Sequence, residues 1–284
     1  LKDRGNILRF LAVGVLFLNI IAGASGNIFP AQSAYGQESG EEKQAPSLDG
    51  TVLHRNENIQ TRVGPAFSRV FCFPGGASNA STSFCADSGI NQLFLLDLGI
   101  SLDGDIKTRN SGSLATSETI ETSTFFLVDD PPELQRSQSV YTDDSERVRI
   151  SQIAETVNGA NYITYSLLAT NIGNSVINDF KVGAYADWEV DESSEGDSAQ
   201  YSTFADTVFQ FEGEGTFVGM SSPTPSSAHH LDFCCGDAAA VLGAPNNQND
   251  LLEEDDVTVS LAWSLGSLSP GQTKILHIIL AAGT

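Results

Sequence analysis

The chain has 284 residues, with 36 acidic against 14 basic side chains and a formal net charge of −22. A surface this acidic repels phosphate backbones and anionic headgroups, which sets nucleic acid and membrane surfaces aside as partners. Its length is enough to bury a full core, so four cysteines act as local staples rather than as a disulfide-built scaffold.

The N-terminus differs from the rest. Lys2, Arg4 and Arg9 precede the almost uncharged run FLAVGVLFLNIIAGA at 10–24, the layout of a secretory signal peptide. That run is shorter than the about 20 residues a spanning helix needs. Cleavage is expected after Ala24, with Gly36 as a second candidate and a retained anchor as the alternative. A secreted or cell-surface location follows, with no membrane insertion after signal removal. Residues 25–59 are rich in Gly, Gln, Glu and Ser and read as a flexible leader. Residues 60–284 read as a single domain.

From there, short runs of β-branched and aromatic residues recur between turn signals: FSRVFCF (67–73), NQLFLLDLGISL (91–102), STFFLV (123–128), RVRISQIAETV (147–157) and NYITYSLLATN (161–171). DFKVGAYADWEV (179–190), DTVFQF (206–211), TFVGM (216–220), VTVSLAWSL (257–265) and TKILHIILAA (273–282) continue the pattern. Such spacing predicts an all-β fold, an antiparallel β-sandwich. In NYITYSLLATN, Ile163, Tyr165 and Leu167 share one face while Tyr162, Thr164, Ser166 and Leu168 share the other. One short helix is expected at 237–242.

YSLLATNIGNSVINDFKVGAYADWEV (165–190), then DTVFQF and GTFVGM, and finally SLGSLSPGQTKILHIILAAG (264–283) carry TN-x-G, VG-x-x-ADW and L-x-PG motifs in order. This series resembles a β-sandwich domain of large exported bacterial proteins. NQLFLLDLGISLDGDIKT is similar to that domain's opening strand and polar hairpin, so the likeness spans most of 60–283. It implies a fold and an address more than an activity: members are mostly uncharacterised, and some carry sorting, anchoring or peptidase modules elsewhere. The last expected strand ends just before Thr284, which leaves both a free single-domain protein and a piece of a longer one open.

No G-x-S-x-G elbow, H-E-x-x-H, phosphate-binding G-x-x-x-x-G-K or C-x-x-C pair occurs. GEGTFVG (213–219) has its third Gly one place too late for a dinucleotide loop and leads into a strand. Two acidic features remain. Along KVGAYADWEVDESSEGD (181–197), alternation puts Asp187, Glu189 and Asp191 on one face and Trp188 and Val190 in the core. With a bend at Asp191, the carboxylates Asp187, Glu189, Asp191, Glu195 and Asp197 would gather around calcium, although Ser202 stands where a calcium loop has its bidentate Glu. The alternative is a solvated acidic loop. In HHLDFCCGD, the residues His229, His230, Asp232, Cys234, Cys235 and Asp237 have the donor chemistry for a transition metal, against exposed histidines and oxidised thiols. His54 and His277 stand alone, His277 within the last strand.

The reading that follows is an exported, non-catalytic structural or binding module whose partner is a cell-surface component or polysaccharide. A carbohydrate-binding module or carbohydrate-active enzyme is the alternative, although Trp188 and Trp263 sit in apolar strands where burial is expected. Outside the cell, Cys72 and Cys85 are expected to bridge across the Gly/Ser-rich loop between them, which contributes roughly 3 kcal/mol in the chain-entropy model. Cys234 and Cys235 are adjacent, with Cα atoms about 3.8 Å apart, so a vicinal bridge is strained and the rival is a link from this pair to Cys72 and Cys85. Non-reducing peptide mapping should return a 72–85 linked peptide; a peptide joining either to 234 or 235 would overturn that pairing.

Overall fold

The computed structural model describes residues 52–283 apart from 56–58, 65–66, 74–89, 92–94, 110, 117–119, 126–132, 189, 191–195, 212–216, 234–235 and 244–248. In chain order its strands are β1 (Val52–Arg55), β2 (Gln60–Gly64), β3 (Phe67–Phe73), β4 (Ile90–Asn91), β5 (Leu95–Leu102), β6 (Asp105–Thr108), β7 (Leu114–Thr116), β8 (Ile120–Phe125), β9 (Leu134–Asp143) and β10 (Val148–Val157). They continue as β11 (Tyr162–Asn171), β12 (Ile177–Asp187), β13 (Asp197–Ser202), β14 (Thr207–Phe211), β15 (Phe217–Ser221) and β16 (Ala228–Phe233). After a short helix, α1 (Ala238–Gly243), come β17 (Leu251–Asp255), β18 (Val257–Leu268) and β19 (Thr273–Gly283). The expected helix is present within one residue of its predicted span.

These strands form an all-β sandwich. A large sheet runs β17-β13-β14-β15-β19-β11-β10-β9-β7, with β8 also on β9. A five-stranded sheet, β16-β18-β12-β5-β6, and a four-stranded one, β1-β2-β3-β4, complete the fold, and every pairing is antiparallel. Period two decides the layers. On β11 the side chains of Ile163, Tyr165 and Leu167 are buried, opposite Leu280, Ile278 and Leu276 of β19. From the five-stranded sheet come Leu98, Ile100, Val182, Ala184, Val259, Leu261 and Trp263, and all belong to one apolar cluster. Each large apolar side chain withdrawn from water stabilises by roughly 1.5–3 kcal/mol, so this interlayer is the dominant favourable contribution.

Polar groups inside the layer are matched to backbone. Gln210 of β14, fully buried, donates from Nε2 to the carbonyls of Trp188 (2.9 Å) and Val257 (2.8 Å) and accepts from the Trp188 N–H (3.2 Å). It joins the large sheet to the point where the chain leaves β12. The TN-x-G and L-x-PG motifs prove to be one device. Asn171 donates from Nδ2 to the carbonyls of Ser175 and Leu268, both 2.8 Å, while its backbone carbonyl accepts from Gly271 at 2.8 Å. Pro270 and Gly271 occupy the middle of a turn closed by Gln272 N–H to Ser269 C=O, and the positive φ of 75° at Gly271 is the reason for glycine there.

Part of the span read as a leader is structured. Val52–Arg55, inside the span read as a leader, is a strand paired with β2. Four residues are too few to alter the average of a Gly/Gln/Ser-rich stretch, yet Val52 and His54 both point inward. His54 is therefore not isolated.

On its outer face the five-stranded sheet carries a row of small residues across adjacent strands: Ala228, Ala262, Gly183 and Gly99, next to Thr108. Helix α1 lies in this groove. A Cβ at Gly183 would stand 2.8 Å from Leu242 Cγ, and one at Gly99 would stand 2.8 Å from Leu242 Cδ1 and 3.0 Å from Ala238 Cβ. Gly183→Val should therefore destabilise the domain by roughly 1–3 kcal/mol through overpacking. In chemical denaturation the cost of Gly183→Ala should shrink in a Leu242→Ala background; strict additivity would show that the helix does not use this groove.

Candidate functional site

The acidic seam is a crossover between sheets. β12 ends at Asp187 in the five-stranded sheet and β13 begins at Asp197 in the large one, with Trp188 and Val190 buried between them, as alternation predicts. The Val190 N–H donates to Asp197 Oδ2 at 3.2 Å. Asp187 and Asp197 are only 2% and 1% exposed, so neither is part of a solvated fringe. Glu189, Asp191 and Glu195 lie outside the described residues, as do Cys85, Cys234 and Cys235; Cys72 is in β3, with its side chain undescribed. Among the described residues no three His, Cys, Asp or Glu side chains stand together as a cation-holding group.

The tandem histidines are separated by the pleat. HHLDF is strand β16, not an exposed loop, so His229 and His230 point to opposite faces. His229 turns inward and stacks on Tyr201 with ring centroids 3.7 Å apart and planes 12° from parallel. Its Nε2 is 3.1 Å from Asp250 Oδ1. Burial lowers its pKa, and the Asp250 carboxylate opposes that shift. Tyr201 donates in turn to Asp206 Oδ1 at 2.9 Å, and Asp206 has a left-handed φ of 48° at the β13–β14 turn. This chain of contacts pins two loops to the sandwich edge. Asp237 accepts from the Ala239 N–H at 2.8 Å and so serves the start of α1. His277 lies on the outer face of β19 with Nδ1 2.9 Å from Ser166 Oγ, and burial lowers its pKa.

His230 and Asp232 face outward, where the register sets His230 beside Ser260 and Asp232 beside Thr258 on β18. Ser260 is opposite Tyr185 on β12, and Tyr185 is opposite Asp97 on β5. A cleft of about 50 Å³ opens over this polar row, with Gly236 and Ala240 on the α1 side and Phe233 at its rim. The Gly236 N–H donates to the Tyr185 hydroxyl at 2.9 Å. Burial, against the Gly236 bond and with Asp187 adding to it, pushes the Tyr185 phenol up to about 12, so it stays protonated at neutral pH. Asp97, fully buried, accepts from the Ala238 N–H at 3.2 Å. The helix that closes one side of the cleft is thus held by the same polar row. Phe233 is 52% exposed. Imidazole, carboxylate and hydroxyl groups side by side suit the hydroxyls of a polar ligand. Sequence reading missed Tyr185, Thr258, Ser260 and Phe233, because only strand pairing brings β16, β18 and β12 side by side.

No family model matches the chain. Its fold is that of part of a bacterial glucoamylase whose structure was determined with acarbose: TM-score 0.62 at 11% identity, over 90% of this chain and 35% of that one. A GH36 alpha-galactosidase from Geobacillus stearothermophilus with stachyose gives a TM-score of 0.47 at 10% identity over 82% of this chain and 40% of that one. A kojibiose phosphorylase from the human microbiome, described as putative, gives 0.45 at 9% identity over 81% and 29%. The chain spans about a third of the glucoamylase it matches, and at this identity the likeness is one of fold.

Asp197 and Asp255 are cross-strand partners, and the Asp256 carboxyl is raised by burial and then by Asp255. Like charges placed opposite one another destabilise a sheet by up to about 1 kcal/mol. Asp255→Asn should raise the denaturation midpoint in low salt, with a smaller gain in high salt. The calcium expectation is checked in the same protein: an extra rise in melting temperature with calcium over sodium at matched ionic strength, abolished by Asp191→Asn with Asp197→Asn, supports it, and no extra rise sinks it.

Proposed function

We propose that this chain is an exported, non-catalytic β-sandwich module that binds carbohydrate through the cleft between β16, β18, β12 and α1. The observation that carries this reading is the row of hydrogen-bonding side chains His230, Asp232, Tyr185, Thr258 and Ser260 that strand register brings together along one cleft. The hydroxyls of a sugar exchange hydrogen bonds with such groups. Trp188 and Trp263 are in the core and offer no platform. The fold shared with about a third of a glucoamylase complexed with acarbose supports the carbohydrate class, and fold by itself does not license an activity. Export is the function of the N-terminal run at 10–24.

A second reading, a structural module that docks on a surface component, is favoured by Val157 and Ile275, exposed at 45% and 53% on the outer face of the large sheet. Titration calorimetry against soluble neutral glucans and galactans separates the two. Binding should be lost or weakened roughly tenfold, about 1.4 kcal/mol, by His230→Ala and by Asp232→Asn, with unchanged melting temperatures. Binding that survives both variants would remove the cleft, and release of reducing sugar by the unmodified protein would replace a binding module with an enzyme.

A further inference from the structure

The layer between the β1–β2 hairpin and the large sheet is unlike the rest of the interior. His54 of β1 is fully buried and reaches two strands of the large sheet: its Nε2 is 2.7 Å from Ser137 Oγ on β9 and its Nδ1 3.2 Å from Thr156 Oγ1 on β10. Two amides complete the attachment. Gln135 Nε2 donates to the Leu53 carbonyl at 2.6 Å, and Gln152 Nε2 donates to the Gly64 carbonyl at 3.0 Å. On this face the hairpin is fastened by side-chain hydrogen bonds, beside Ile59 and Val63 in the apolar cluster and the pairing of β2 with β3, and Ser139 Oγ and Tyr141 OH on the same face of β9 are buried with no hydrogen-bond partner among the described residues. Each such bond adds only about 1 kcal/mol net and is costly where a group is left unmade, so the hydrogen bonds of this layer are sensitive to a change of charge on His54.

We propose that the β1–β2 hairpin is an acid-released strap, held on β9 and β10 by neutral His54 and let go when the imidazole takes a proton. Among the described side chains, β9 presents Gln135, Ser137 and Ser139 to this layer, β10 presents Gln152, Ala154 and Thr156, and β2 presents Thr61 and Val63. None of these carries a charge. The other titratable groups on this face of β9 are Tyr141 and, at its far end, Asp143, whose carboxylate is already taken by the N–H groups of Arg147 and Val148. Apart from Glu121, which β8 sets at the register position opposite Ser137, no acidic residue among the described ones compensates a proton on His54, and burial holds the group down to about 3 from an ordinary 6.5. The docked state binds the neutral ring. Stability of docking is then complete above about pH 6.5 and falls as pH drops toward 3, because the released hairpin takes up one proton that the docked one does not. One proton per opening makes the opening constant rise about tenfold for each pH unit in that window.

Hydrogen–deuterium exchange of the whole exported chain, corrected for intrinsic rates, reads this directly. Between about pH 6 and pH 4 the protection of β1 and β2 amides should fall about tenfold per unit while β11 and β19 stay protected. His54→Gln, which retains hydrogen bonding without titrating, should remove the slope. Ser137→Ala, which keeps His54 and loosens the clamp, should raise opening at every pH and leave the slope intact, so a failure of the Gln variant to fold does not end the test. Protection of β1–β2 that is flat with pH, a slope that persists in His54→Gln, or loss of β1–β2 protection only together with β11 and β19 would each overturn the proposal.

Discussion

Successive side chains of a strand point to opposite faces, and every functional feature of this domain follows from how that alternation meets two packed sheets. It turns Ile163, Tyr165 and Leu167 into core and leaves Ser166 to pair with His277 outside. The same rule separates His229 from His230, so adjacent residues serve a buried edge clamp and an exposed cleft. At the acidic seam it makes Trp188 part of the interlayer and sends Asp187 to the outer face. A slip of one residue in any of these strands would exchange core and surface wholesale.

Polar groups fix what apolar packing leaves loose. Apolar contacts are non-directional, whereas Gln210 satisfies two carbonyls and one N–H at fixed positions and tolerates a single placement of β14 against Trp188 and Val257. Asn171 does the same for the paired turns at 171–175 and 268–272. The His54 layer uses the same kind of bond, with His54, Gln135 and Gln152 reaching between β1–β2 and the large sheet.

The cleft is a by-product of helix docking. Gly183 and Gly99 have no side chains to keep Leu242 away, α1 settles over them, and the polar row one step along the strands becomes a walled groove instead of a flat sheet. Asp97 and Tyr185 then bond to the backbone at and just before the helix start, which couples the shape of the groove to the position of α1. A glycine in the VG-x-x-ADW motif is thereby explained by close approach rather than by a turn, and the motif describes how the groove is built more than what it holds.

The class of fold, the faces of β11, the burial of both tryptophans, the short helix and the turn around Gly271 were all legible in the sequence, because each depends on residues within one strand or one turn. What tertiary structure alone decided was which strands are neighbours. Phe233, Asp232, Thr258, Ser260 and Tyr185 are spread over 185–260, and no local pattern relates them until β16, β18 and β12 hydrogen-bond in register. β16 itself escaped notice because AHHLDF is half polar, and its strand character comes from pairing with β18 rather than from propensity. His54 was unreadable for the same reason: its partners lie 83 and 102 residues away. Alternation and turn chemistry are encoded over a few residues, whereas a cleft or a clamp is encoded only in the order of strands within a sheet, which pairing energies summed over the whole chain select.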